Sequence, residues 1–97
     1  MDAFEHRVRP GGLYLLDEPE GPLSPARQIR LLNLLLAAAA RGAQFVIATH
    51  SPILLACPGA RIYSFDEAPV ARVAYEDLVH VRVLRDFLEH PERFIDR

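Results

Sequence analysis

A chain of 97 residues with one cysteine, 51% hydrophobic residues and a formal net charge of −2 has room for one domain and no disulfide framework. The near-zero charge removes the electrostatic case for nucleic acid or an anionic membrane, and the longest apolar run, Leu34 to Ala40, falls well short of the roughly 20 residues of a membrane span. The N-terminal "MDAFEHRVRP" is charged and has no apolar core, so it does not read as a signal peptide, and a lone thiol fits a reducing cytoplasm.

In chain order, "GLYLLDE" is an apolar run between turn signals, the pattern of a strand buried on both faces, and it ends in the adjacent carboxylates Asp17 and Glu18. "GPLSP" is a turn. Ser24 before Pro25 is a helix start, with Ser as N-cap and Pro in the first helical position, and Gly42 stops the helix near Arg41. On a wheel, Arg27, Arg30, Asn33 and Arg41 form a polar stripe opposite Ile29, Leu32, Leu35, Leu36 and Ala39. "AQFVIATH", residues 43–50, is a second apolar strand. Strand, helix and strand over about forty residues make a βαβ unit with parallel strands. "SPILLACPG" is a short helical turn. "RIYSF" and "VARVAY", joined by "DEAP", predict an antiparallel hairpin at the sheet's margin, and a last helix over about Glu76 to Glu89 turns Val81, Leu84, Phe87 and Leu88 inward before Pro91.

In an open parallel sheet, ligands sit beyond the carboxyl ends of the strands, which is where Asp17 and Glu18 leave one strand and His50 the other. An aspartate there can hold Mg²⁺, a neighbouring carboxylate can polarise an attacking water, and an imidazole can touch a transferred phosphate. The other polar residues read as structural. Asp66 and Glu67 follow apolar residues too, but lead into another strand, so they are turn residues. His80 shares a helix side with Val83, Leu84 and Phe87 and reads as a packing histidine, whereas His6 and His90 read as exposed. Cys57, between Ala56 and Pro58, reads as buried and inert. No His, Cys, Asp or Glu pair has zinc spacing, and neither Ser51 nor Ser64 lies in a Gly-x-Ser-x-Gly elbow.

Together "LYLLDEP", "PLSP" and "FVIATHSP" resemble the Walker B strand, D-loop and switch-histidine strand of the ABC-type ATPases. The wording "DEPE" and "IATHSPILLA" is most similar to stand-alone ATPases related to DNA-repair and chromosome-maintenance proteins. The resemblance implies an α/β, partial P-loop NTPase fold, with a parallel βαβ unit, a marginal hairpin and a C-terminal helix. It also implies Asp17 for Mg²⁺, Glu18 as general base, His50 as γ-phosphate sensor, and Ser24 near the nucleotide of a dimer partner. Ser24 stands where that family usually has aspartate. All eleven basic residues are arginine, so the chain has no Gly-Lys-Ser/Thr phosphate loop. The chain is therefore expected to be the C-terminal half of a cytoplasmic ATPase domain, a single domain with the Walker B strand to the switch histidine over residues 11–50, a hairpin over 60–75, and a C-terminal helix and tail over 76–97. Mg²⁺ and ATP are expected to bind only with the missing half, and the isolated chain should not hydrolyse ATP. Without the phosphate-loop strand, "FVIAT" is an open edge, and the chain is expected to self-associate or pair with an N-terminal half. Two other readings are a protein-interaction module that no longer handles nucleotide, and a reading frame that starts upstream of Met1.

Overall fold

Leu13–Asp17 is apolar up to its last residue and forms strand β1, and Gln44–Ala48 forms β2. The computed structural model describes residues 9, 11–65 and 68–96, which leaves His6, Asp66 and Glu67 outside the described residues. β1 and β2 pair in parallel, in a register running from Leu13↔Gln44 to Asp17↔Ala48. The crossover is α1, Pro25–Ala40. Ser24 Oγ accepts the Arg27 N–H at 3.3 Å, an N-cap that satisfies one of the orphan donors of the first turn. At the other end Ala43 N–H donates to Ala38 O and Gly42 N–H to Ala39 O, both within 3.1 Å. This is a Schellman closure, and Gly42 takes the φ of +95° that it requires.

Burial along both strands alternates with the pleat. Leu16, Phe45 and Ile47 pack on a core of Leu31 and Leu35 from α1 and Leu54 from the short helix α2, Pro52–Leu55. Tyr14 stacks on Phe45, its partner in register, with ring centroids 5.6 Å apart. The Tyr14 ring also lies over Gly12, where an added Cβ would come within 2.6 Å of it. The opposite row faces solvent: Leu13 is 64%, Leu15 76% and Val46 60% exposed. Burial on both faces is thus not what the fold has. Apolar runs are the mark of a parallel sheet covered twice, and here one helical layer covers one side. Among the described residues this sheet has two strands, so each keeps an unpaired edge.

On α1, the buried stripe runs through Gln28, Leu31 and Leu35, while Ile29, expected inward, is exposed. The wheel's apolar side was wider than the surface that this sheet and α2 cover, so its margin stays in water.

The chain divides into two units, the first ending at Pro58 and the second starting at Gly59. In the second, β3 (Ile62–Ser64) and β4 (Ala71–Val73) form the expected antiparallel hairpin, with Tyr63 opposite Arg72. Among the described residues these strands make a two-stranded sheet of their own. A 3₁₀ turn at Tyr75–Asp77 precedes α3, Val79–Glu89, so the last helix starts later than expected. Of its inward set only Val81 is buried; Leu84, Phe87 and Leu88 are exposed. Phe87 does meet Phe94 edge-on, at a centroid distance of 5.9 Å. His80 is half-buried and His90 exposed, as expected.

Candidate functional site

The β1–β2 ladder continues one step past the strands: Glu18 N–H donates to Ala48 O at 2.7 Å. The backbone then turns sharply. Glu18 has φ +48°, an uncommon conformation for a residue with a Cβ, and its carbonyl accepts the Gly21 N–H at 3.1 Å to close a turn around Pro19 and Glu20. A non-glycine residue held in this region marks a position that the surrounding structure over-determines, and such positions cluster at functional sites.

This turn brings Glu18 to the end of β2. Its Oε1 lies 3.0 Å from His50 Nδ1, and both side chains are well exposed. An ionised carboxylate only accepts, so in this pair Nδ1 carries the proton. Exposure keeps the energetic value of this contact small, so its importance is geometric. It sets one carboxylate oxygen and one face of an imidazole at the carboxyl ends of neighbouring parallel strands.

Asp17 is placed differently. It pairs in register with Ala48 and belongs to the pleat row of Leu13 and Leu15, on the solvent-facing side of the sheet. Among the described residues no side chain engages its exposed carboxylate. The structure thus joins Glu18 with His50 and leaves Asp17 one residue away on the open side. Ser24 sits at the start of α1 as an N-cap.

Four residues around the pair were given no place in the site from sequence, Ser51 having been weighed only as a hydrolase nucleophile. Glu20 is half-buried next to it. Burial by itself raises its carboxyl pKa, but hydrogen bonds from the Thr49 hydroxyl and from the backbone at Glu20 and His50 more than offset this, and the net shift is downward. Its Oε1 is buried and has no hydrogen-bond partner among the described residues. Ser51 is 5% exposed and caps α2, its Oγ accepting the Leu54 N–H at 3.2 Å and its own N–H donating to Thr49 Oγ1 at 3.0 Å. Ser51 Oγ also donates to Gln28 Oε1 at 2.5 Å. One sequence signal for Gln28 was available: it lies three residues before Leu31 on the stripe that α1 buries, a polar residue on an apolar face.

Among the described residues, no three His, Cys, Asp or Glu side chains converge as a metal cage. Mg²⁺ does not need one, since it binds through one or two carboxylates plus phosphate oxygens and water. An exposed aspartate fits that donor set. No described helix is long and apolar enough to cross a membrane. Cys57 is half-buried, and burial raises its thiol pKa, which keeps it in the weakly nucleophilic thiol form.

No curated protein matches the chain. One family model does, over residues 3–56, which takes in β1, α1, β2 and α2 with every residue of the pair and its surroundings. The matched span is more than half of the chain, and its α/β order of parallel strands and crossover helix is compatible with part of a P-loop NTPase fold. The chain belongs to the family described as "AAA domain, putative AbiEii toxin, Type IV TA system", a nucleotide-binding ATPase-like domain of the P-loop NTPase class.

Proposed function

We propose that the chain supplies the Walker B and switch-histidine part of an ABC-like ATPase site, completed by polypeptide that carries a phosphate-binding loop. The observation that carries this reading is the Glu18–His50 pair at 3.0 Å, beyond the carboxyl ends of two parallel strands. In this reading Glu18 is the general base. Its second oxygen orients the attacking water, while His50 holds the first and meets the γ-phosphate. Asp17 would hold Mg²⁺, which neutralises charge on the phosphates when bound. Ser24 would stand close to the nucleotide of a second subunit. With no lysine in its 97 residues the chain cannot form a Gly-Lys-Ser/Thr cradle, so nucleotide binding depends on the completing polypeptide in the cytoplasm.

Two measurements test this. Calorimetric titration of the chain alone with Mg²⁺-ATP should show no binding; tight binding would overturn the account of the missing cradle. With a phosphate-loop half supplied, Glu18→Gln should lower ATP turnover about 10²- to 10⁴-fold, the range for loss of a general base. A second reading, an interaction module that no longer handles nucleotide, is favoured by the exposed Leu13, Leu15 and Val46. It predicts no effect of Glu18→Gln on partner binding and no turnover to lose.

A further inference from the structure

Two loops carry the paired side chains: the loop after β1 holds Glu18 and the loop after β2 holds His50. One side chain from a third element touches both. Gln28, in the first turns of α1, donates from Nε2 to Leu23 O at 2.9 Å and accepts at Oε1 from Ser51 Oγ at 2.5 Å. Leu23 is tied back to the Glu18 turn, its N–H donating to Glu20 O at 2.7 Å while Gly21 N–H donates to Glu18 O. Ser51 follows His50 directly in the chain.

Chemistry leaves this arrangement one orientation. The Leu23 carbonyl only accepts, so the amide nitrogen of Gln28 must face it and the amide oxygen must face Ser51. The Ser51 hydroxyl has a single proton, which goes to Gln28, while its lone pairs take the Leu54 N–H. A carboxylate at position 28 would keep the Ser51 arm and lose the Leu23 arm. An alkyl side chain of similar size would lose both without leaving a cavity. Ser51 is 5% exposed, so water competes little for the bond.

We infer that Gln28 is a positioning residue, whose amide braces the loop after β1 against the loop after β2 and thereby holds the His50 ring against Glu18. The brace rests on the ATPase reading for its purpose, since a base and a sensor must share a fixed geometry to act on one phosphoryl group. A misplacement of about 1 Å there can cost about 10²-fold in rate.

The His50 tautomer reads the brace without any need for turnover. At alkaline pH, where imidazoles are neutral, long-range proton–nitrogen NMR correlations of the full chain give each histidine's tautomer, with His50→Gln assigning the signal. In the unaltered chain the Nδ1–H form of His50 should dominate, because Glu18 accepts from it. Gln28→Leu should cut the tautomer ratio about five- to tenfold, the factor that one net hydrogen bond is worth, with circular dichroism showing α1 intact. Asn33→Ala, which removes a side-chain bond within α1 (Asn33 Nδ2 to Ile29 O, 3.2 Å), should leave the ratio unchanged. If Gln28→Leu does not fold, Gln28→Glu serves in its place and should lower the ratio partly. An unchanged His50 tautomer in a folded Gln28 variant overturns the brace. Failure of the ATPase reading would appear elsewhere, as a Glu18→Gln variant with undiminished turnover in the completed enzyme, and would leave the tautomer result standing.

Discussion

Leu15 and Leu35 are both leucines of the first unit, and the structure assigns them opposite energetic roles. Leu35 is 5% exposed and sits in the core with Leu31 and Leu54. Leu15 is 76% exposed, in the solvent-facing row of β1. Full burial of a leucine is worth about 1.5–3 kcal/mol, so Leu15, with about a quarter of its surface covered, contributes about 0.4–0.7 kcal/mol to folding of the dilute chain. Leu35→Ala loses the full transfer term and leaves a cavity, for about 2–5 kcal/mol. Urea titration followed by circular dichroism, where α1 dominates the signal, measures both. The chain is also expected to self-associate through its open strand edge and bare face, and association adds apparent stability by mass action. The titration should therefore be repeated across protein concentrations with sedimentation of the same samples. The unaltered chain should show midpoints that rise with concentration. When dilute, Leu15→Ala should fall no more than about 0.7 kcal/mol below it, and it should lose the concentration dependence, whereas Leu35→Ala should be destabilised at every concentration. A loss at Leu15 as large as that at Leu35 in the dilute monomer would refute the reasoning, because it would mean that the second face of the sheet is already covered within the folded chain.

Two further predictions follow from the backbone and from Glu20. Gly42→Ala should destabilise the chain by about 1–2 kcal/mol in the same titration, because a residue with a Cβ resists the left-handed conformation; Gly42 has φ +95° and the nearest atom to an added Cβ is 3.6 Å away, so sterics add nothing, and a neutral result would show that the turn relaxes. The folded Glu20 carboxyl has a pKa below its ordinary value of 4.5, so its contribution to stability is fully present above that value and is lost as pH falls through the lower, folded-state value. The difference in urea midpoint between the unaltered chain and Glu20→Gln should therefore be constant near neutrality and shrink in acid below about pH 4.5; a difference that grows on acidification would reverse the sign assigned here.

Strand and helix order in the first unit was legible because it rests on local signals. Ser24–Pro25 and Gly42 bracket α1 through cap and closure, and the two apolar runs can only be strands at that spacing. The positions of Glu18 and His50 at the strand ends were legible for the same reason, each lying one residue past the polar residue that ends an apolar run. What was not legible depends on how many layers cover a surface. The run Leu13–Leu16 reads alike whether one face is packed or two, and only the structure shows Leu13 and Leu15 in water. The helix over Val79–Glu89 is similar: its periodicity placed Leu84, Phe87 and Leu88 on one face without saying that any surface would cover it. Gln28 was missed because a glutamine beside arginines on a helix looks solvated. Its function appears only when the loops before and after it in the chain are seen to meet at its amide.

In the ATPase reading, the placement of the three carboxyl-end residues also bears on the side from which a completing polypeptide would come. Glu18 and His50 are held from within the unit, by the turn through Gly21, by Ser51 and by Gln28 on the covered side of the sheet. Asp17 lies in the bare row with Leu13 and Leu15, where among the described residues no side chain holds it. A polypeptide that buried this row would exclude water from around Asp17 and strengthen its attraction to a cation, while the Glu18–His50 pair would need no rearrangement. The apolar face and the Asp17 carboxylate would then be parts of one surface. In the ATPase reading, the same contact that removes the apolar row from water brings the phosphate cradle to Asp17, so assembly and metal binding should be thermodynamically coupled. Mg²⁺-nucleotide should tighten the association of the two halves, and Asp17→Asn should weaken that tightening while leaving association without nucleotide unchanged.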